Sequence, residues 1–242
     1  MPASVLVTFV SLPGVPCSRA DGGQPGAYDD QVPANPPRWT RKPDGSVWIS
    51  HHLLGPADAD RLRDVSLLTM WNVRLPAGFL SGLPRLEWLD LRGGTSADLG
   101  LLAGCAGLRG LVVNQVRGLR DASAIESLTG LEVLSLYGLA HLQALPDLSR
   151  LPRLRRLDLG QMRSLADWSV LPRLPAMEHL VFANKLRPDL AVMGQLADHP
   201  RLRVFDWWAP DEPAALVQAV LDAVGRPRPA ATRPEEYFAE NC

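Results

Sequence analysis

Cysteine is nearly absent from this 242-residue chain: the three present, Cys17, Cys105 and Cys242, are too few and too scattered for a disulfide framework or a zinc site. That usage fits a reduced, cytoplasmic protein. Excess charge is missing too. Twenty-five Lys and Arg against 26 Asp and Glu leave a formal net charge of −1, so no strong field draws the whole molecule to nucleic acid or an anionic membrane. No apolar run approaches the roughly 18 residues of a membrane span. P-loop, dinucleotide-glycine and zincin motifs are all lacking, and no cofactor or metal is expected. Ser4–Leu12 is a short apolar run followed by Cys17, an arrangement like a lipoprotein signal. Its flank has no Lys or Arg, however, and Pro16 precedes the cysteine. An exported or lipid-anchored protein is therefore the alternative to a cytoplasmic one. Residues 1–37, rich in Pro and Gly from position 13 onward, read as a disordered or processed segment.

What the chain has instead is a repeat. The first leucine-type position of successive L-x-x-L-x-L runs falls at Leu62, Leu86, Leu108, Leu131, Leu154, Met177 and Leu202, with steps of 24, 22, 23, 23, 23 and 25 residues. Within a unit the period changes. Leu131, Leu134 and Leu136 mark a short strand with alternate residues inward. Leu139, Leu142, Leu145, Leu148 and Leu151 then recur every three residues, a spacing suited to 3₁₀ turns. Pro84, Pro152 and Pro200 stand two residues before a strand's first leucine, where a convex turn has to stop, and Asp121 and Asp167 are placed to cap turn N–H groups. About seven repeats over residues 62–209 follow, an α/β repeat solenoid with parallel strands on its concave face.

These units resemble bacterial leucine-rich repeats, close to the 22-residue class, over about residues 60–209. The resemblance implies a non-catalytic protein-binding surface, with an immunity or regulatory partner among the possibilities. One departure concerns the ninth position, often Asn in that family. Here it holds Gly94, Val116, Leu139, Met162 and Lys185, so the corner backbone has to be satisfied by other means.

Both ends need caps, since an array exposes apolar surface there. Residues 38–61 read as an N-terminal hairpin cap turning at Asp44-Gly45, with Trp39 and Trp48 covering the end. Pro56 to Arg63 adds a helical turn. Residues 210–225 read as a capping helix, amphipathic from Asp211 to Val224 and stopped by Gly225. Residues 226–242, with Pro227, Pro229 and Pro234, read as a flexible tail.

On the concave face, residues at repeat positions 3, 5, 7 and 8 point outward. For the first repeat these are Asp64, Ser66, Leu68 and Thr69. Large rings stand beside small residues: Trp88 by Gly110, Tyr137 by Gly160, Trp208 by Ala183. Either each ring folds flat over its neighbour, or it is an anchor for a partner, since Trp, Tyr and Arg dominate interface energetics. Trp88, Asp90, Arg92, Tyr137, Arg156, Asp158, His179, Asp206 and Trp208 are the candidate residues for contacting another protein, with the chain a monomer. Arg85, Arg109, Arg153, Arg155 and Arg173 read as scattered solubilising charges.

Chemistry finds little support in these columns. Asp90 and Asp158 lie three strands apart, about 14 Å, and Asp158 and Asp206 two, about 10 Å, both too far for paired carboxylates on one bond. No Ser or Cys is placed to be activated by His179. The His51-His52 doublet is weak evidence for a metal, and Cys105 falls at a convex apolar position, where a buried thiol behaves as a small hydrophobe.

Overall fold

The computed structural model describes residues 38–229 and 232–242. Ser4–Leu12 and Cys17 lie outside the described residues. One nine-stranded sheet runs in chain order: β1 (Arg38–Arg41), β2 (Val47–Ser50), β3 (Leu67–Trp71), β4 (Trp88–Arg92), β5 (Gly110–Asn114), β6 (Val133–Tyr137), β7 (Arg156–Gly160), β8 (His179–Ala183) and β9 (Val204–Trp208). Only β1 and β2 are antiparallel; every later pair is parallel and in register.

Each strand is short because only alternate leucines bury, and the chain then turns back over the convex side. Single 3₁₀ turns fill that side at Leu80–Gly82, Gly100–Leu102, Ser123–Ser127, Leu148–Arg150 and Leu171–Arg173. Asp121 and Asp167 cap as the sequence suggests, accepting from the backbone N–H of Ser123 (2.8 Å) and Ser169 (2.9 Å). The convex segment after β8 departs from the tight-turn pattern. It forms an α-helix, α2 (Leu190–Gln195), whose N-cap Asp189 accepts from the Ala191 N–H.

The first repeat begins at Val65, not Leu62. Leu62 is the buried last residue of a helix, α1 (Pro56–Leu62), and Leu67 pairs with Trp88. Val65, Leu68 and Met70 then take the inward positions. The outward residues of that repeat are therefore Leu67, Thr69, Trp71 and Asn72, replacing Asp64, Ser66, Leu68 and Thr69. Two apolar residues three apart, Leu62 and Val65, both fit the first position by periodicity; the helix decides between them.

Backbone geometry at position 8 confirms this frame. His51, Asn72, Gly93, Gln115, Gly138, Gln161 and Asn184 are all left-handed, with φ from +49° to +73°. Gly adopts that region freely and Asn more readily than most, whereas β-branched Thr69 would be strained there. The same column resolves the missing asparagine. The N–H groups of Gly93, Gln115, Gly138, Gln161 and Asn184 donate to the position-7 carbonyl of the next strand, at 2.5–3.0 Å. Position 9 is thus released to the core, where Val116, Leu139 and Met162 are buried.

A second column also carries a pattern. Position 2 reads Glu87, Arg109, Glu132, Arg155, Glu178, Arg203, alternating in sign along the rim of the sheet. Ion pairs close between Arg109 and Glu87 (3.5 Å), Arg109 and Glu132 (2.8 Å), Arg155 and Glu178 (3.2 Å) and Arg203 and Glu178 (3.8 Å). Arg109 and Arg155 are therefore rungs of a charge ladder, not scattered solubilising groups. Burial acts to raise the Glu178 carboxyl, but the hydrogen bond from Arg155 and the charges of Arg155, Arg203 and Arg201 outweigh it and hold the group below its ordinary value.

At the N-terminal end Trp39 packs on the core, with the Arg61 guanidinium 4.2 Å from its ring centre. Trp48 does not cover the end. Val47 and Ile49 point inward, so Trp48 alternates outward onto the concave face and meets Trp71 edge-on at 6.2 Å. At the other end α3 (Ala214–Val224) starts three residues later than Asp211, buries Val220 and Val224, and stops at left-handed Gly225.

The expected tail does not run free after Gly225. Pro227 accepts from the Phe205 N–H, and Arg226 donates to the carbonyls of Leu202 (2.8 Å) and His199 (3.2 Å), so the chain follows the outer edge of β9. This masks the open edge of the sheet. Past residues 230 and 231, a helix, α4 (Pro234–Asn241), lies on the concave face. Proline restricts a helix interior but suits its first turn, which is where Pro234 stands.

Candidate functional site: the concave face

Two sides of the sheet bury two separate apolar clusters. The leucine core fills the interior. On the concave side Trp88, Val112 and Val133 pack with Tyr237 and Phe238 of α4, joined at the margin by Leu67 and Cys242. Phe238 lies against Trp88 (ring centres 4.9 Å apart), and Tyr237 meets His179 edge-on at 4.8 Å.

Polar contacts hold α4 by its ends. At the entry Arg156 donates to the Thr232 hydroxyl (2.9 Å) and carbonyl (2.7 Å), while the Arg233 N–H donates to Glu236 at 2.9 Å. At the exit the rim arginines reach the last carbonyls, Arg109 that of Cys242 and Arg155 that of Asn241. Cations beside a helix C-terminus face the negative end of its dipole.

The candidate residues accordingly divide. Trp88, Asp90 and Arg156 are buried, only 5%, 3% and 2% exposed. The Trp88 ring lies so close over Gly110 that a Cβ there would sit 2.0 Å from its Cε3 atom. Arg156 grips Asp158 through two hydrogen bonds (2.8 and 2.9 Å), and Asp206 pairs with Arg228 at 2.6 Å. Each aspartate of the column thus has its own arginine, since Asp90 is paired with Arg92. Burial pushes Asp158 up against the opposing pull of Arg156, and burial followed by the Arg156 charge lowers His179.

Tyr137 and Trp208 lie on the other half of the face, away from α4. Tyr137 also lies over a glycine, a Cβ on Gly160 falling 2.5 Å from its Cδ2. Its hydroxyl donates to Gln161 (3.0 Å) and accepts from Asn184 (2.5 Å). Trp208 is half exposed, at 50%. Sequence reasoning missed Trp48 and Trp71, the second through the slipped frame of the first repeat. It missed α4 as well, although Pro234 with Glu236 two residues on is a helix-start signature. Among the described residues no group of three or more His, Cys, Asp and Glu is placed to hold a metal, and no helix is long and apolar enough to cross a membrane.

Asp90 has a consequence for stability. Burial, partly offset by Arg92, pushes its carboxyl up from 3.8 to about 6, and its Oδ1 has no hydrogen-bond partner among the described residues. Between those values the folded chain keeps a proton that the unfolded chain has released. The group's contribution is therefore complete below pH 3.8 and is lost as pH rises through about 6. Relative to wild type, Asp90→Asn should gain about 2–3 kcal/mol between pH 4 and pH 7. Urea titrations of both proteins at the two pH values measure this, and a pH-independent difference would refute it.

No protein family and no curated protein matches the sequence. Among solved structures, an internalin from Listeria monocytogenes is similar at 17% identity, covering 77% of this chain and 68% of its own, with a TM-score of 0.35. Internalin C2 from the same bacterium is similar at 20% identity, covering 63% of this chain and 74% of its own, with a TM-score of 0.36. Neither likeness bears on what this chain binds. Its own period of about 23 residues, its parallel concave strands and its 3₁₀ convex turns give the chain a leucine-rich-repeat fold.

Proposed function

We propose that the chain is a monomeric, non-catalytic protein-interaction module that engages another protein on the concave face. The observation that carries this reading is the pair Tyr137 and Trp208 on the half of the face that α4 leaves uncovered, Trp208 half exposed and the Tyr137 ring laid over Gly160 with one face open. Tyr137 supports it because its hydroxyl is fixed by Gln161 and Asn184, so little side-chain entropy remains to be lost on binding. Arg92, Asp206 and Asp158 supply charge nearby, and their pairing with neighbours favours recognition over catalysis.

Affinity capture from the native organism's lysate with wild type and with Tyr137→Ala/Trp208→Ala tests this reading. A partner held by wild type should be lost from the double variant, each truncated anchor weakening binding by about 2 kcal/mol or more. Equal recovery by both would remove the open half of the concave face from consideration. Recovery from lysate also fits the proposed cytoplasmic location. A partner found only in medium or on other cells would favour the exported or lipid-anchored reading of Ser4–Cys17.

A further inference from the structure

We propose that the groove beneath α4 is a receptor for a short helix of another protein, one with an acidic first turn and two adjacent aromatic residues, and that residues 232–242 occupy it as a displaceable internal ligand. This rests on reading the concave face as a binding surface and names what the covered half accepts.

Four observations carry it. The cluster around Trp88 and Val133 lies across the sheet from the leucine core, so the solenoid's interior is complete without α4. Leu67, Trp88, Val112 and Val133 form a contiguous apolar floor on the concave side of the sheet, and Tyr237 and Phe238 cover it. Arg109, Arg155 and Arg156 hold the occupant mainly by its backbone carbonyls, contacts that any helix of this length could make. Arg156 also acts on Glu236 in the occupant's first turn through its charge, alongside the stronger pairing of Glu236 with Arg233 of the segment itself. Finally, the Tyr237 hydroxyl is buried without a partner among the described residues. A buried hydroxyl with no hydrogen bond weakens a fit, so the internal occupant is not the best ligand for its own groove. An isolated eight-residue helix is unstable in water, so residues 232–242 lose their helix on leaving.

Cys242 reports the exchange. Burial, reinforced by a hydrogen bond to Glu132, pushes its thiol up to about 11, while Cys105 is buried in the array. In full-length protein carrying Cys17→Ser, maleimide labelling of Cys242 at pH 7.5 should be slow. In the Tyr237→Ala/Phe238→Ala variant it should accelerate on the order of 100-fold as the thiol regains ordinary acidity. A synthetic peptide of residues 232–242 with Cys242→Ser should accelerate wild-type labelling at concentrations approaching millimolar, because a tethered occupant has an effective concentration of that order. The same peptide, fluorescently labelled, should bind the double variant far more tightly. A peptide with Tyr237→Phe should act at about ten-fold lower concentration.

Equal labelling of wild type and variant would overturn the seated occupant. Failure of the folded variant, checked by thermal melting, to bind the peptide would overturn the receptor. Concentration-dependent dimerisation of wild type would assign the groove to a second copy's segment instead. Loss of peptide exchange with Tyr137-dependent capture intact would refute this inference alone; exchange with capture unaffected by Tyr137→Ala/Trp208→Ala would refute only the reading of the open half.

Discussion

Arg156→Ala should lower the unfolding free energy by about 3–5 kcal/mol, the loss typical of breaking a buried ion pair from one side. Arg156 is 2% exposed and is the only cation hydrogen-bonded to Asp158 among the described residues. Removing it leaves a carboxylate that burial already pushes up, with nothing to oppose that push. The loss should therefore be greater at pH 7 than at pH 5. Arg156→Met with Asp158→Asn should recover most of it, because the desolvated charge leaves along with its partner. Urea unfolding of wild type, Arg156→Met, Asp158→Asn and the double variant measures the coupling directly. A single-variant loss below about 1 kcal/mol would mean that α4 leaves and water reaches Asp158.

Phe182→Ala should cost a similar amount, about 3–5 kcal/mol for an aromatic cavity in a packed core. Phe182 is fully buried, and its ring meets Trp168 at 5.4 Å, Phe205 at 5.2 Å and Trp207 at 6.3 Å between centres. Four rings from neighbouring repeats take the place of the leucines found elsewhere in the array. Contacts in a solenoid run only between neighbours, so the damage should stay local. Amide exchange should quicken first in β8 and β9 and last in β4 and β5. Uniform acceleration across all nine strands would show that the array melts as one unit.

The sequence made the solenoid legible because its signal is local and repeated. Leu131, Leu134 and Leu136 bury as their alternation implies, and the same spacing recurs until chance is excluded. The frame slipped only where a helix abuts the first strand, at Leu62 and Val65. Reading position 8 as a column would have corrected it, since Asn72 suits a left-handed corner and Thr69 does not. The concave face was legible as a set of outward residues but not as a surface. Tyr237 and Phe238 meet Trp88 and His179 only after a return across the sheet, and no periodicity encodes that path. Three prolines suggested a tail, although one of them starts a helix.

The alternating ladder at position 2 gives the array a grain of two. Excising residues 131–153 would remove Glu132 and bring Arg109 beside Arg155, two like charges on adjacent strands. Excising residues 131–176 would bring Arg109 beside Glu178 and leave the alternation whole. Lengthening or shortening such a protein is then easiest in paired units. The rim distinguishes odd from even repeats in a way that the apolar core does not.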